Sequence, residues 1–401
     1  MIIPRTIEPI VVSLAATHPV LTITGPRQSG KTTLCRRVFP DKPYVNLEAP
    51  DVRRFAQDDP RGFLATYPDG AILDEIQRVP DLLSYIQVIV DEQQRAGQFI
   101  ITGSQQFEVL NTISQSLAGR TALLKLLPLS IEELVAAKTL PSVDNLLLKG
   151  FYPRIHAQGL APTQALGDYL VTYVERDIRQ LVNLKDLAHF EKFVRLCAGR
   201  IGQLLNLQSL GNDVGISHTT ARAWLTLLEA SYIVLLLQPW HGNFSKRQIK
   251  SPKLYFYDVG LAAFLLGLES EVQVSRDPLR GNLFENMAVV ESLKFRLHRG
   301  KRSNIYFYRD GKGNEVDLLL AFGRDLFPVE IKSGATIVPD FFKGLKTFAR
   351  VAGELPRGGG LVYGGAEIQL RSDAQVYPVT RMHEMLTGIS DDGMSKSVNS
   401  E

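Results

Sequence analysis

The segment from Gly25 to Thr32 constrains what this chain can fold into more than any other stretch. It has the pattern G-x-x-x-x-G-K-T and consists of Gly25, Pro26, Arg27, Gln28, Ser29, Gly30, Lys31 and Thr32, with Thr33 directly after it. An apolar run precedes it at Val20–Ile23, and a segment of helical pattern follows it. The order therefore predicts a buried strand, a glycine-rich loop and a helix start.

This order of elements is suited to binding phosphate. Glycines let backbone N–H groups converge on an anion, and the start of a helix adds the positive end of its dipole. We expect Lys31 to reach the β- and γ-phosphates of ATP and Thr32 to bind Mg²⁺ through its hydroxyl. The alternative is a chance match in a surface turn, and the flanking strand and helix argue against it.

A second apolar strand, Gly70–Leu73, ends in two acids, Asp74 and Glu75. Such a strand places both carboxylates at the carboxyl edge of a parallel sheet, where ligands of open α/β sheets bind. We expect Asp74 to hold Mg²⁺, and Glu75 to orient and deprotonate the attacking water. A solvated turn is the alternative for an acid pair taken alone.

Two further polar positions lie beyond this strand: one ends the next strand, and the other, Arg120, comes just after a predicted helix. The run Gln98–Thr102 ends in Gly103 and Ser104. If this strand lies between the two earlier ones, Thr102 or Ser104 lies beside the γ-phosphate as a sensor; alternatively, Ser104 caps a helix over 105–117. Arg120 is either an arginine finger, for its own or a neighbouring subunit, or a surface arginine.

The composition of the chain limits which classes of protein remain possible. The chain has 401 residues, which suggests two or three domains. Its net charge is only +3, so any surface that binds nucleic acid must be local. Its two cysteines form neither a disulfide framework nor a zinc site, and no run of 18 apolar residues occurs. We expect a cytoplasmic location and no membrane span.

Five short segments together resemble a known family. They are Gly25–Thr33, Leu73–Gln77, Ile101–Ser104, Leu117–Arg120 and Leu127–Ser130. They are similar to segments of the prokaryotic AAA-type ATP-binding proteins that carry a C-terminal domain of unknown function. The resemblance extends to about residue 385, and it implies a RecA-like parallel sheet and ATP hydrolysis.

The middle of the chain has helical patterns followed by a predicted winged helix. Either Arg176 or Arg179 contacts nucleotide across an interface, or both belong to a solvated face. A short helix at Leu205–Leu210, a turn and a helix capped by Ser217 precede two strand-like runs joined by a basic turn. The predicted DNA contacts are His218, Thr219, Arg222, Lys246, Arg247 and Lys250. A rigid lid or a protein-docking module is the alternative.

The last segment predicts a restriction-endonuclease-like domain with a D…ExK pattern. Asp317 lies on one strand, and Glu330 and Lys332 share a face of the next, because side chains alternate along a strand. With Glu285 from a preceding helix, the three acids are expected to bind Mg²⁺ or Mn²⁺ while Lys332 orients water. Alternatively the domain binds DNA without cutting it.

We therefore expect an α/β protein in three parts: an AAA-type P-loop ATPase domain at 1–140, a helical linker and winged helix at 141–270, and a nuclease-like domain at 271–387. A tail at 388–401 is expected to be disordered. The favoured function is ATP-dependent action on DNA, in repair, mobile-element biology or defence. The alternatives are a nucleotide-switched regulator and a remodelling ATPase with a protein client. A homo-oligomer is left open.

Overall fold

A computed structural model describes residues 2–104, 116–175, 187–241, 250–353, 355, 358–372 and 374–398. Its strands are β1 Val20–Thr24, β2 Tyr44–Asn46, β3 Ile72–Asp74, β4 Phe99–Gly103, β5 Thr121–Lys125, β6 Val234–Leu237, β7 Lys253–Phe256, β8 Ile305–Arg309, β9 Glu315–Phe322, β10 Asp325–Lys332, β11 Gly360–Tyr363, β12 Gln369–Leu370 and β13 Gln375–Pro378.

The α-helices are α1 Glu8–Ala15, α2 Lys31–Val38, α3 Pro50–Asp58, α4 Pro60–Ala65, α5 Leu82–Gln93, α6 Ile131–Ala136, α7 Val143–Lys149, α8 Pro153–Gln158, α9 Pro162–Tyr169, α10 Leu187–Ala198, α11 Leu207–Val214, α12 His218–Ala230, α13 Val259–Leu265, α14 Glu271–Arg276, α15 Arg280–Leu297, α16 Lys343–Ala352 and α17 Met382–Val398. Short 3₁₀ turns occur at Ile76–Arg78, Pro339–Phe342 and Val379–Arg381, and a π-helix occurs at Leu170–Glu175.

The first sheet has the strand order β2-β3-β4-β1-β5, and all of its pairings are parallel. Every residue of β1, β3 and β4 is buried, as expected for strands covered on both faces. The parallel sheet implied by the family resemblance is therefore confirmed. Strand β4 lies between β1 and β3, which is the placement that the sensor prediction requires.

Two short helices, α3 and α4, lie between β2 and β3 in the chain. Pro60 cannot continue the preceding helix, and the Asp59 side chain accepts a hydrogen bond from the Gly62 N–H at 2.9 Å. The expected helix over 105–117 lies largely outside the described residues.

The middle segment contains helix, turn, helix and hairpin in the expected order. The turn between α11 and α12 carries Gly215 with φ +92°, and the Ser217 hydroxyl caps α12 by accepting from the Thr220 N–H at 3.1 Å. Strands β6 and β7 pair antiparallel. Residues 242–249 at the tip of this hairpin, which include Lys246 and Arg247, lie outside the described residues. Arg176 and Arg179 do so as well.

The last segment is a mixed six-stranded sheet with the order β12-β13-β11-β10-β9-β8. Strands β9 and β10 form the predicted hairpin, and its tight turn carries Gly323 with φ +65°. One hydrophobic cluster joins this sheet and α15 to the middle segment, through Phe256, Phe284 and Phe307 among others. The two segments therefore share a core.

The expected disorder from residue 388 is wrong for the described part of the tail. Helix α17 begins at Met382 and continues to Val398. Met385, Leu386 and Ile389 are buried on its first turns, so the helix is anchored in the core before the polar end begins. Among the described residues, no helix is long and apolar enough to cross a membrane.

Candidate functional site

The glycine-rich loop follows β1. It passes so close to the backbone just after the neighbouring strand β5 that a side chain at its first glycine would clash. Gly25 has φ +150°, and a Cβ atom built there would lie 2.1 Å from the carbonyl oxygen of Leu126. Gly30 has φ +94° just before α2, where an L-residue with a side chain is strained. The loop conformation thus depends on the two glycines that define the motif.

Lys31 lies inside this loop. Its side chain is 5% exposed, and Nζ donates hydrogen bonds to the carbonyl oxygens of Gly25 at 2.9 Å and Pro26 at 2.8 Å. Burial lowers the pKa of Lys31, while the negative charges of Glu75 and Asp74 act in the opposite direction. The ammonium group is therefore held at the loop, facing the acids at the sheet edge.

Thr32 and Asp74 contact each other directly. The Thr32 hydroxyl donates to Asp74 Oδ2 at 2.8 Å, and the Tyr44 hydroxyl donates to the same oxygen at 2.6 Å. The Thr102 hydroxyl donates to Asp74 Oδ1. Hydroxyl and carboxylate oxygens are the ligands that Mg²⁺ prefers, so Thr32 and Asp74 fit the predicted cation. Tyr44 was missed, because only strand pairing brings β2 beside β3.

Glu75 is held in an unusual backbone conformation. Its φ is +60°, a left-handed conformation that is uncommon outside glycine and concentrated at functional sites. Its Oε2 accepts hydrogen bonds from Ser104 Oγ at 3.0 Å and from Gln77 Nε2. Ser104 is therefore at the site beside the predicted catalytic acid. Gln77 was missed as a site residue, although it belongs to a segment that carries the resemblance.

Arg120 lies at the wrong edge of the sheet to contact its own phosphate loop. Thr121, the residue after it, pairs with Val20 at the amino end of β1, whereas the loop follows the carboxyl end of that strand. The separation is roughly 16 Å along the strand. Arg120 instead forms a bidentate ion pair with Asp91, with Nη2 to Oδ2 at 2.8 Å. An arginine finger within the same chain is therefore wrong, and one in a neighbouring subunit stays a prediction.

A cavity of about 540 Å³ opens beside the loop. Its lining includes the loop and site residues Gln28, Gly30, Lys31, Thr32 and Glu75 and the arginines Arg5, Arg37 and Arg154. It also includes the apolar residues Ile2, Ile3, Leu129, Pro153 and Ala157. Polar groups for phosphates and apolar groups for a base are what a nucleotide needs. The sequence did not reveal the apolar part of the lining, because its residues come from three distant segments.

Arg5 connects the loop to the chain beyond β5. It is 7% exposed, and its guanidinium donates to the carbonyl oxygens of Ser29 at 2.8 Å and Leu127 at 2.7 Å. Its Nε lies 3.0 Å from Glu133 Oε1, and His298 Nδ1 lies 3.5 Å from the same oxygen. Burial raises the pKa of Glu133, but Arg5, His298 and the Ser130 N–H together outweigh burial and hold that pKa well below its usual range. No sequence signal marked Arg5.

The predicted DNA-contacting side chains of α12 point away from the core. Thr219 and Arg222 are exposed and His218 is partly exposed, while the opposite face of the helix packs inward through Ala221, Trp224, Leu225 and Leu228. His218 and Lys250 line one open groove of about 690 Å³ between the helices and the hairpin.

The C-terminal acids are gathered, but they are paired with lysines. Lys332 Nζ lies 2.9 Å from Asp317 Oδ2 and 2.5 Å from Glu330 Oε2. Burial and then the Asp317 charge raise the pKa of Glu330 to about 8. Glu285 instead pairs with Lys253, which the sequence did not suggest, at 2.9 Å. Among the described residues, no group of three or more acid, histidine or cysteine side chains has an arrangement that could hold a metal ion.

Family models match three consecutive segments of the chain. Residues 17–135 match an AAA domain, residues 140–272 match a domain of unknown function (DUF8612), and residues 280–382 match another domain of unknown function (DUF4143). Together with the parallel sheet and the phosphate loop, the first match defines the class: an AAA-type P-loop ATPase with a C-terminal region of unknown function.

The chain belongs to the family of the uncharacterized protein Rv2008c of Mycobacterium tuberculosis. The two are 33% identical over 323 residues, which cover 79% of this chain and 71% of the relative. An uncharacterized protein of Haemophilus influenzae is 23% identical over 308 residues, which cover 69% of this chain and 74% of that protein. The Walker-type ATPase paby2304 of Pyrococcus abyssi has a TM-score of 0.45 and 15% identity, covering 66% of this chain and 96% of that one. We assign nothing from that structural likeness.

Proposed function

We propose that this chain hydrolyses ATP with Glu75 as the general base and with Mg²⁺ held by Thr32 and Asp74. The observation that carries the proposal is the direct Thr32–Asp74 hydrogen bond at the sheet edge where Glu75 also lies. In the reaction, a water oxygen bonds to the γ-phosphorus, the bond to the bridging oxygen breaks, and the proton of the water passes to Glu75. Mg²⁺, when bound, offsets the charge of the phosphate oxygens.

The other site residues have supporting roles in this proposal. Lys31 binds the phosphates, and the loop N–H groups around Gln28 and Ser29 surround them. Ser104 and Gln77 hold the Glu75 carboxylate through its Oε2, and in this proposal its Oε1 accepts the proton of the water. Ser104 thereby acts as the sensor, because its hydroxyl is bonded to the catalytic acid.

We further propose that the middle segment binds DNA. The supporting observation is that Thr219 and Arg222 are exposed on the second helix, while His218 and Lys250 line the adjacent groove. An exposed helix face beside a groove with a cation is suited to the DNA backbone. The contacts by Lys246 and Arg247, and the division into domains at 140 and 270, remain predictions.

Removing two exposed cations tests the DNA proposal. The Arg222→Ala, Lys250→Ala double variant is expected to lower the slope of log affinity against log salt by about two units, one for each lost phosphate contact. Fluorescence anisotropy with a labelled duplex at several salt concentrations measures this slope. The matched control is Lys301→Ala, an exposed lysine of the C-terminal segment, which should leave the slope unchanged.

An unchanged slope and affinity in the double variant would assign the groove to a protein partner instead. The protein would then fit a nucleotide-switched regulator or a remodelling ATPase. Stimulation of phosphate release by duplex DNA, lost in the double variant but not in Lys301→Ala, would connect the ATPase to DNA. A protein client, a homo-oligomer and a cytoplasmic location remain predictions.

A further inference from the structure

We propose that Lys253 is the built-in cation of the C-terminal carboxylate cluster, and that this cluster takes no divalent metal. The cluster is Glu285, Glu315, Asp317 and Glu330. The D…ExK pattern predicted Mg²⁺ or Mn²⁺ between three of these acids. In the structure the acids do not fit that role, because ammonium groups are already bonded to their oxygens.

Lys253 reaches the cluster from outside the predicted nuclease-like domain. It is the first residue of β7, in the hairpin of the middle segment, and its side chain is only 3% exposed. Its Nζ lies 2.9 Å from Glu285 Oε1 and 2.5 Å from Glu315 Oε1. The ring of Phe307 lies 5.6 Å from the same nitrogen and presents its face to the charge. The ammonium group is thus enclosed by acids and an aromatic ring.

The other half of the cluster is paired with a second lysine, although Glu330 Oε1 is buried without a hydrogen-bond partner among the described residues. Lys332 bridges Asp317 and Glu330, and Asp317 Oδ2 also accepts the backbone N–H of Ile331 at 2.8 Å. Tyr255 donates its hydroxyl to Glu285 at 2.5 Å. Each of the three predicted metal ligands is therefore paired with a lysine.

A divalent ion at the cluster would have to displace Lys253 from the oxygens that it contacts. Mg²⁺ requires oxygen ligands at about 2.0–2.1 Å in octahedral geometry, and the ammonium groups already contact those oxygens. A cation brought within a few ångströms of a buried ammonium also meets strong repulsion, because little water is present to screen it. The ion pairs of Lys253 with Glu285 and Glu315 also join the hairpin to α15 and β9. Lys253 therefore both neutralises these acids and connects the two segments.

The position of Lys253 is set by its backbone, so the side chain can be changed without undocking the hairpin. The Asn286 side chain accepts the Phe256 N–H at 2.6 Å and donates to the Phe256 carbonyl at 3.0 Å. These bonds fix β7 against α15 independently of the lysine. Methionine has a similar length and no charge, which makes Lys253→Met a suitable variant.

The test counts Mn²⁺ bound to the nucleotide-free, full-length protein by electron paramagnetic resonance. Wild type and Asp317→Asn are expected to bind the same number of ions. Lys253→Met is expected to gain one site, on the order of tenfold tighter than anything wild type offers at the cluster. The gain should disappear in the Lys253→Met, Glu285→Gln double variant, because Glu285 is an acid that Lys253 contacts. The control, Lys301→Met, should match wild type.

Two results would overturn the proposal. One is a wild-type Mn²⁺ site that Asp317→Asn removes, and this comparison does not depend on whether Lys253→Met folds. The other is a Lys253→Met protein that keeps its circular dichroism and melting temperature but gains no ion. Plasmid cleavage by wild type with Mn²⁺, abolished in Asp317→Asn, would also overturn it and restore the nuclease prediction.

Discussion

Replacing Lys31 by alanine is expected to weaken ATP binding about 100-fold, measured by isothermal titration with Mg²⁺ present. A charge-assisted hydrogen bond contributes about 1.5–3 kcal/mol, and about 3 kcal/mol corresponds to a factor of about 100 in affinity. Lys31 is the one lysine among the described residues that line the cavity, and the carbonyl oxygens of Gly25 and Pro26 hold its ammonium group at the loop. Replacing it removes that ammonium charge from the phosphate loop.

Lys301→Ala provides the control for this experiment. Lys301 is exposed and distant from the loop in sequence, so its removal changes the net charge equally without touching the cavity. Its ATP affinity should stay within error of wild type. An unchanged affinity in Lys31→Ala would mean that the loop does not bind the phosphates.

Replacing Arg5 by methionine is expected to lower the free energy of unfolding by about 3–5 kcal/mol, measured by urea denaturation. Removing one partner of a buried ion pair leaves the other charge buried with less compensation. Here that charge is Glu133, which is 2% exposed and would keep only His298 and the backbone N–H groups of Thr6 and Ser130 beside it. The change also removes the hydrogen bond to the Ser29 carbonyl, so ATP binding should weaken in the protein that remains folded.

Two further variants separate this effect from a general loss of stability. Arg37→Met breaks an exposed ion pair with Glu8 at 3.4 Å and should cost less than about 1 kcal/mol. Adding Glu133→Gln to Arg5→Met should recover part of the loss, because the unpaired charge is then absent. Equal stability of Arg5→Met and Arg37→Met would contradict the role assigned to the buried pair.

The sequence predicted those parts of the fold and of the site that depend on residues close together in the chain. The glycine loop, the strand ending in Asp74 and Glu75, and the placement of Ser104 follow from apolar runs with polar ends, since parallel strands bring those ends to one edge. Arg120 differs from these residues because it precedes its strand, which places it at the opposite edge of the sheet.

What the sequence did not predict depends on pairs that are far apart in the chain. Arg5 and Glu133 are separated by 128 positions, and neither residue carries a periodic signal that would connect them. Lys253 was assigned only to a strand, because nothing in its neighbourhood indicates that β7 packs against α15. A charge that is buried and paired looks the same in sequence as one on the surface. Which lysines pair with the acids of the C-terminal cluster therefore depends on three-dimensional packing, and the sequence alone does not show it.

We infer that Glu75 activates water at a phosphate loop that binds ATP. The most direct test mixes Glu75→Gln with ATP and Mg²⁺, separates the protein-bound nucleotide, and measures ATP and ADP. ATP is expected to bind normally and remain intact, with phosphate release reduced at least about 100-fold, the usual contribution of a general base. Glu92→Gln, which changes an exposed acid on α5, should behave as wild type. Phosphate release by Glu75→Gln at the wild-type rate would contradict the role of Glu75 as the general base.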